Sequence, residues 1–131
     1  MRYEITILIL TLTALYLSSC TVNYKKEIEI DLELVLGESF NIEEVESLDA
    51  IGEGGFVIKF KLLRQEDLSD VIQQILQKPN YYSKHPISSD ERSYWYKKGD
   101  LFLYEEQYQS SFVSFSLNQV DGRGTYSDFD D

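Results

Sequence analysis

The chain has 131 residues, 43% apolar and 14% aromatic, with a formal charge of −11 from 12 basic and 23 acidic side chains. That length holds one domain, and the apolar content excludes a disordered chain. The acid excess repels phosphate backbones and argues against nucleic acid as a partner, whereas a basic protein is electrostatically compatible, although such a charge also serves plain solubility.

Arg2 and the α-amino group form a short positive end, opposed by Glu4, and residues 5–17, ITILILTLTALYL, carry no charge. Such a run suits the apolar part of an export signal and is too short for a bilayer, which needs about 20 residues. Ser18, Ser19 and Cys20 follow, and Cys20 is the one cysteine of the chain. In run length, position and residue type, Leu17-Ser18-Ser19-Cys20 resembles the box that ends the signal peptide of bacterial lipoproteins. The resemblance covers residues 1–20. It implies cleavage between Ser19 and Cys20, a diacylglycerol thioether on the Cys20 sulfur, and a freed amine open to further acylation with palmitate-type chains.

The chemistry of the position agrees with that implication. A thiolate is the best protein nucleophile for taking up a lipid, and two or three acyl chains make a lasting anchor where one holds only marginally. A lone cysteine in an exported chain also needs a role, and lipidation supplies one. An ordinary cleaved signal without lipid and an apolar core segment are the competing readings, the second lacking a polar face to turn to water. The location implied is the bacterial cell envelope, with the membrane as partner through Cys20. In a Gram-negative cell that means the outer membrane or the periplasmic side. Thr21 in place of Asp points to the outer membrane where the enterobacterial sorting rule applies.

The domains read as 1–19 signal peptide, 20–26 lipidated tether and 27–131 one globular domain. Within the tether, Lys25 and Lys26 are placed to meet headgroups. EIEIDLELVL, residues 27–36, alternates apolar and acidic residues and reads as a strand with an acidic outer face. Residues 40–51 have mixed periodicity and read as a weaker strand, GEGG (52–55) as a turn, and FVIKFKLL (56–63) as a strand that closes a hairpin. Residues 64–78 switch to helical spacing, with Leu68, Val71, Ile72, Ile75 and Leu76 at threes and fours, and Pro79 stops the helix. Residues 79–92 read as a long loop, 93–98 and 101–108 as a hairpin, 111–118 as a strand, and the remainder as a glycine turn with an acidic end. This order predicts an α+β domain, an antiparallel β-sheet of about five to six strands with one helix (about 65–78) packed on one face.

Few residues of the chain carry a pattern that chemistry requires. His85, the only histidine, lies before Pro86 in the loop, and no nucleophile elbow accompanies it. One histidine without a free cysteine cannot supply a zinc site. Asp121, Asp128, Asp130 and Asp131 lack EF-hand spacing, and GEGG lacks the phosphate-cradle pattern. No catalytic residue, metal ligand or cofactor is assigned. The aromatics carry more information. Tyr81 and Tyr82 fall in the loop, Tyr94 and Tyr96 share one strand face with Trp95 on the other, and tyrosine favours recognition surfaces. Tyr81, Tyr82, Tyr94 and Tyr96 are therefore the candidate partner contacts, against the alternative that aromatics simply fill a sheet.

The functional expectation is a non-catalytic binding or interaction domain in the cell envelope, inhibitor- or immunity-like, for a protein or envelope-polymer partner. A small membrane-tethered carboxylate-based hydrolase and a purely structural envelope lipoprotein are the alternatives.

Overall fold

The computed structural model describes residues 23–47, 54–86 and 91–130. The expected signal peptide, its cleavage point at Ser19 and the lipidation point at Cys20 lie outside the described residues. In chain order the elements are α1 (Tyr24–Leu32), β1 (Phe40–Ser47), β2 (Gly54–Leu62), α2 (Gln65–Leu76), β3 (Tyr81–Tyr82), β4 (Ser93–Lys98), β5 (Leu101–Tyr108), β6 (Ser111–Asn118) and β7 (Arg123–Asp130). The strands form one seven-stranded sheet in the order β1-β2-β7-β6-β5-β4-β3.

This corrects the expected fold. Among the described residues the sheet has seven strands rather than five or six, it is mixed because β3 pairs parallel to β4, and there are two helices rather than one. The first correction lies at residues 27–36, which are not a strand. Asn23 caps α1 by accepting the Lys26 N–H through its side chain, and the helix starts at Tyr24, inside the stretch expected to be tether. A period of two also contains a spacing of four, so Ile28 and Leu32 form a short helical stripe and are both buried, while Ile30 is 65% exposed. Glu and Leu are good helix formers, which tips the choice.

Glu33 then turns into the left-handed region at φ 53°, and Leu34 donates its N–H back to the Glu29 carbonyl. Beyond it the chain is pinned in place. Gln74 exchanges two hydrogen bonds with the Val35 backbone, and the Lys78 ammonium caps the Glu33 carbonyl. Leu34 and Leu36 are buried, so the alternation in this stretch serves a helix and then a strap.

The second correction concerns the acidic end. Residues 123–130 form β7, which sits between β2 and β6 in the middle of the sheet. Gly124 makes this possible: a Cβ there would lie 2.3 Å from Phe60 Cζ and 2.5 Å from the Ser116 carbonyl oxygen. The third correction falls in the 79–92 loop, where Tyr81 and Tyr82 pair with Trp95 and Tyr96 as β3.

Both helices cover the same face of the sheet. Ile28 and Leu32 of α1, Leu34 and Leu36 of the strap, and Leu68, Val71 and Ile75 of α2 pack on Ile58, Phe60, Leu62, Trp95, Phe102, Tyr104, Phe115, Leu117 and Tyr126. The rings interlock, with centroids 5.7 Å apart for Phe60–Phe115 and 4.8 Å for Trp95–Tyr104. Burying each such side chain stabilises the fold by about 1.5–3 kcal/mol before entropy is counted. Asp67 is the one charged side chain buried here among the described residues. It accepts the Ser39 N–H at 3.0 Å and faces Arg64 at 3.6 Å, and its hydrogen bonds to Ser39 hold the carboxyl below the usual range. β1 forms one open edge of the sheet, and its register slips between Ile42 and Glu44, a bulge that bends the edge.

Candidate functional site

The face away from the helices is the candidate site. Because successive residues of a strand point to opposite sides, the pairing registers lay out two rungs across it. One runs Glu46, Val57, Ser127, Ser114, Glu105, Tyr94; the next runs Glu44, Lys59, Thr125, Ser116, Leu103, Tyr96. Four small hydroxyl side chains therefore sit at its centre, with the Ser114 and Ser127 hydroxyls bonded to each other. Ion pairs Lys59–Glu44 (3.5 Å) and Arg123–Glu43 (3.4 Å) flank the β1 side. A cleft of about 450 Å³ opens there, bounded by these pairs, Ser116, Thr125 and Leu101.

A compact polar and aromatic cluster lies on the β4–β5 side. The Tyr94 hydroxyl donates to Glu105 Oε2 at 2.6 Å, and the Tyr96 hydroxyl donates to Oε1 of the same carboxylate at 3.0 Å. The His85 ring stands edge-on to both tyrosines, with centroids 5.5 and 4.8 Å away. Its Nε2 lies 3.3 Å from the Tyr94 hydroxyl and 3.6 Å from Glu105 Oε2. The Tyr94 phenol is pushed up to about 12 by its bond to Glu105, and the Tyr96 phenol to about 12 by burial and then by the same bond. Both phenols are thus neutral donors over the physiological range.

Of the four tyrosines singled out from the sequence, the registers place Tyr82, Tyr94 and Tyr96 on the open face and Tyr81 on the helix-covered one. Tyr94 and Tyr96 share the cluster, as period two requires, but Tyr96 is only 7% exposed beneath His85. Tyr81 packs its ring toward Phe102, against the core, and Tyr82 is half-buried beside Tyr96 in register. Sequence reasoning missed Glu105 entirely and left His85 in its loop. The spacing of strand β5 alone marks Glu105 as facing with Leu103 and Gln107, but only the β4–β5 register puts it under two phenols.

A second group of acids lies at one end of the helix-covered face. Glu27, Asp31 and Asp128 bring carboxylate oxygens within 4.8 Å of one another. The buried Tyr126 hydroxyl donates to Asp31 at 2.6 Å, and that phenol is raised by burial and by this bond. Burial, together with the charges of Asp130, Asp31, Glu27 and Glu106, raises the Asp128 carboxyl. Of the acids at the end of the chain, Asp128 lies in β7 and turns its carboxylate toward α1. A wider cleft of about 640 Å³ lies where the C-terminal ends of α1 and α2 approach β4 and β5, lined by Asp31, Glu33, Lys78, Arg92, Trp95 and Tyr104 among others. None of the helices among the described residues is long and apolar enough to cross a membrane. Comparison with protein-family models, with curated proteins and with solved structures finds no match to this chain.

Proposed function

We propose that the chain is a lipid-anchored lipoprotein of the bacterial cell envelope whose domain is a non-catalytic binding module, inhibitor- or immunity-like, for a protein or envelope-polymer partner. The observation that carries the reading is the sheet face that neither helix covers, where hydroxyls, ion pairs and the Tyr94–Glu105–Tyr96 cluster form a broad polar surface. Polar groups held in place on a rigid sheet suit recognition, because little is left to order when a partner arrives. Glu105, the acid best placed for chemistry on this face, has both oxygens occupied by phenols, which favours binding over the carboxylate-based hydrolase. Leu17-Ser18-Ser19-Cys20 supports the anchor.

The test extracts the protein from its native envelope and measures the mass of its N-terminus and the yield of its cross-linked partner. An N-terminal Cys20 carrying a diacylglycerol group is expected, with cross-linking reduced by Glu105→Ala and Ser116→Tyr on the open face. Retention of Met1 with a free thiol overturns the anchor. Cross-linking that survives both open-face variants, with the domain folded, overturns the assignment of the face.

A further inference from the structure

The distance between the proposed lipid and the folded body is short. α1 starts at Tyr24, only four residues after Cys20, and four residues reach at most about 14 Å. Tyr24 is also tied to one particular end of the sheet, since its ring lies 5.8 Å from that of Phe56, near the start of β2. At the same end β7 finishes, β6 starts and β5 finishes. Its last two rungs run Gly55–Phe129–Phe112–Gln107 and Gly54–Asp130–Ser111–Tyr108.

Large apolar side chains are left in the open here. Phe112 is 38% and Tyr108 46% exposed, and the Arg92 guanidinium lies 4.6 Å over the Tyr108 ring. Aromatic rings with cationic neighbours are favoured at the headgroup level of a bilayer. The first turn of α1 adds Lys25 and Lys26. The strands are about 23 Å long over eight residues, longer than the leash, so the anchor holds this end and not the opposite one at the lipid surface. Glu27, Glu106, Asp128 and Asp130 lie at the same end. Their charge repels anionic lipid and suits a zwitterionic layer, whose outermost charge is an ammonium group.

Building on the anchored reading, we infer that this aromatic end is a membrane-seating surface, with Phe112 and Tyr108 resting in the interfacial layer of a zwitterionic bilayer once Cys20 is acylated. Phe112 is the last residue of the open face in step with Ser114 and Ser116, so that face meets the lipid only at its Phe112–Phe129 rung, and the rest of it, with Ser116, Thr125 and Glu105, stands upright from the membrane and accessible from the side.

The test uses acylated protein reconstituted in phosphatidylcholine vesicles. Acylation occupies the only native thiol, so Phe112→Cys and Leu101→Cys each create one reactive site, at opposite ends of the strands and both on the surface. Each is labelled with an environment-sensitive fluorophore. Emission from position 112 is expected to shift to the blue and to lose most of its intensity when the phospholipid carries bromine near the top of its acyl chains. Emission from position 101 stays as in buffer. Adding Tyr108→Ser to the position 112 variant reduces the shift, and vesicles rich in phosphatidylglycerol reduce it too. Equal behaviour at 112 and 101 overturns the seating, and a larger shift on phosphatidylglycerol overturns the choice of lipid. Failure of the anchored reading is separate: mass measurement then finds no lipid on Cys20 at all.

Discussion

The two faces of this sheet are built from the same strands and have opposite economies. On the helix-covered face, Phe60, Trp95, Phe102, Phe115 and Tyr126 interlock beneath α1 and α2, and Gly124 is bare because Phe60 occupies the place of a side chain. On the open face, adjacent positions carry Ser114, Ser116, Thr125 and Ser127, with polarity concentrated in one cluster around Glu105. The difference teaches where stability and recognition reside. The first face sets whether the chain folds, so the second is free to be chosen for what it touches.

The largest expected break in that contrast is Phe60→Ala, which empties the centre of the covered face and costs about 3–5 kcal/mol, measured by urea unfolding. Gly124→Ala tests the same face from the other side: a methyl group with no room costs about 1–3 kcal/mol by overpacking. If the alanine is accommodated without loss, the tight approach of β7 to Phe60 is not a packing constraint.

On the open face the effects are smaller and show up in protons. Glu105→Gln is expected to cost about 1 kcal/mol as charge-assisted bonds become neutral ones. In an ultraviolet titration, the same change brings the Tyr94 phenol down from about 12 toward the usual value near 10, and the Tyr96 phenol by less, because burial is the larger cause there. The sign of the linked stability follows. The folded state holds these protons more tightly than the unfolded state, so their contribution is complete below about pH 10 and is lost as pH rises from about 10 to about 12. Tyr94→Phe with Tyr96→Phe should flatten that alkaline decline, and an unchanged slope would assign it to Tyr104 and Tyr126 on the covered face. The smallest effect is Phe112→Ser, expected to stay within about 0.5 kcal/mol, because the ring is partly exposed and lies outside the core cluster.

How much of this was legible depends on whether an element is specified by its own residues or by its neighbours. Residues 64–78 carry an unambiguous apolar stripe, and α2 lies within them. FVIKFKLL falls in β2 up to Leu62, and SFVSFSLN coincides with β6. In EIEIDLELVL the period of two conceals a spacing of four, and the cap at Asn23, the left-handed turn at Glu33 and the clamp from Gln74 decide between them. In RGTYSDFD one glycine near the start and two aspartates near the end mask a strand whose glycine is required by a ring on a strand some sixty residues earlier. The candidate site divides the same way. Tyr94 and Tyr96 on one face follow from alternation, but their shared carboxylate needs the β4–β5 register, and the meeting of Glu27 with Asp128 needs the whole sheet.

The position of β7 has a consequence for biogenesis. Its residues leave the ribosome after those of all the other strands, yet both β2 and β6 depend on it for a neighbour. A polypeptide delivered N-terminus first cannot close its sheet until residues 123–130 have emerged, since the contacts that join its two halves have the longest sequence separation. Until then only the β1–β2 hairpin and the β4–β5–β6 meander, with β3 at its edge, can pair, as two separate pieces. If the chain is exported as proposed, a translocation channel that accepts only unfolded polypeptide would meet it before this last pairing has formed.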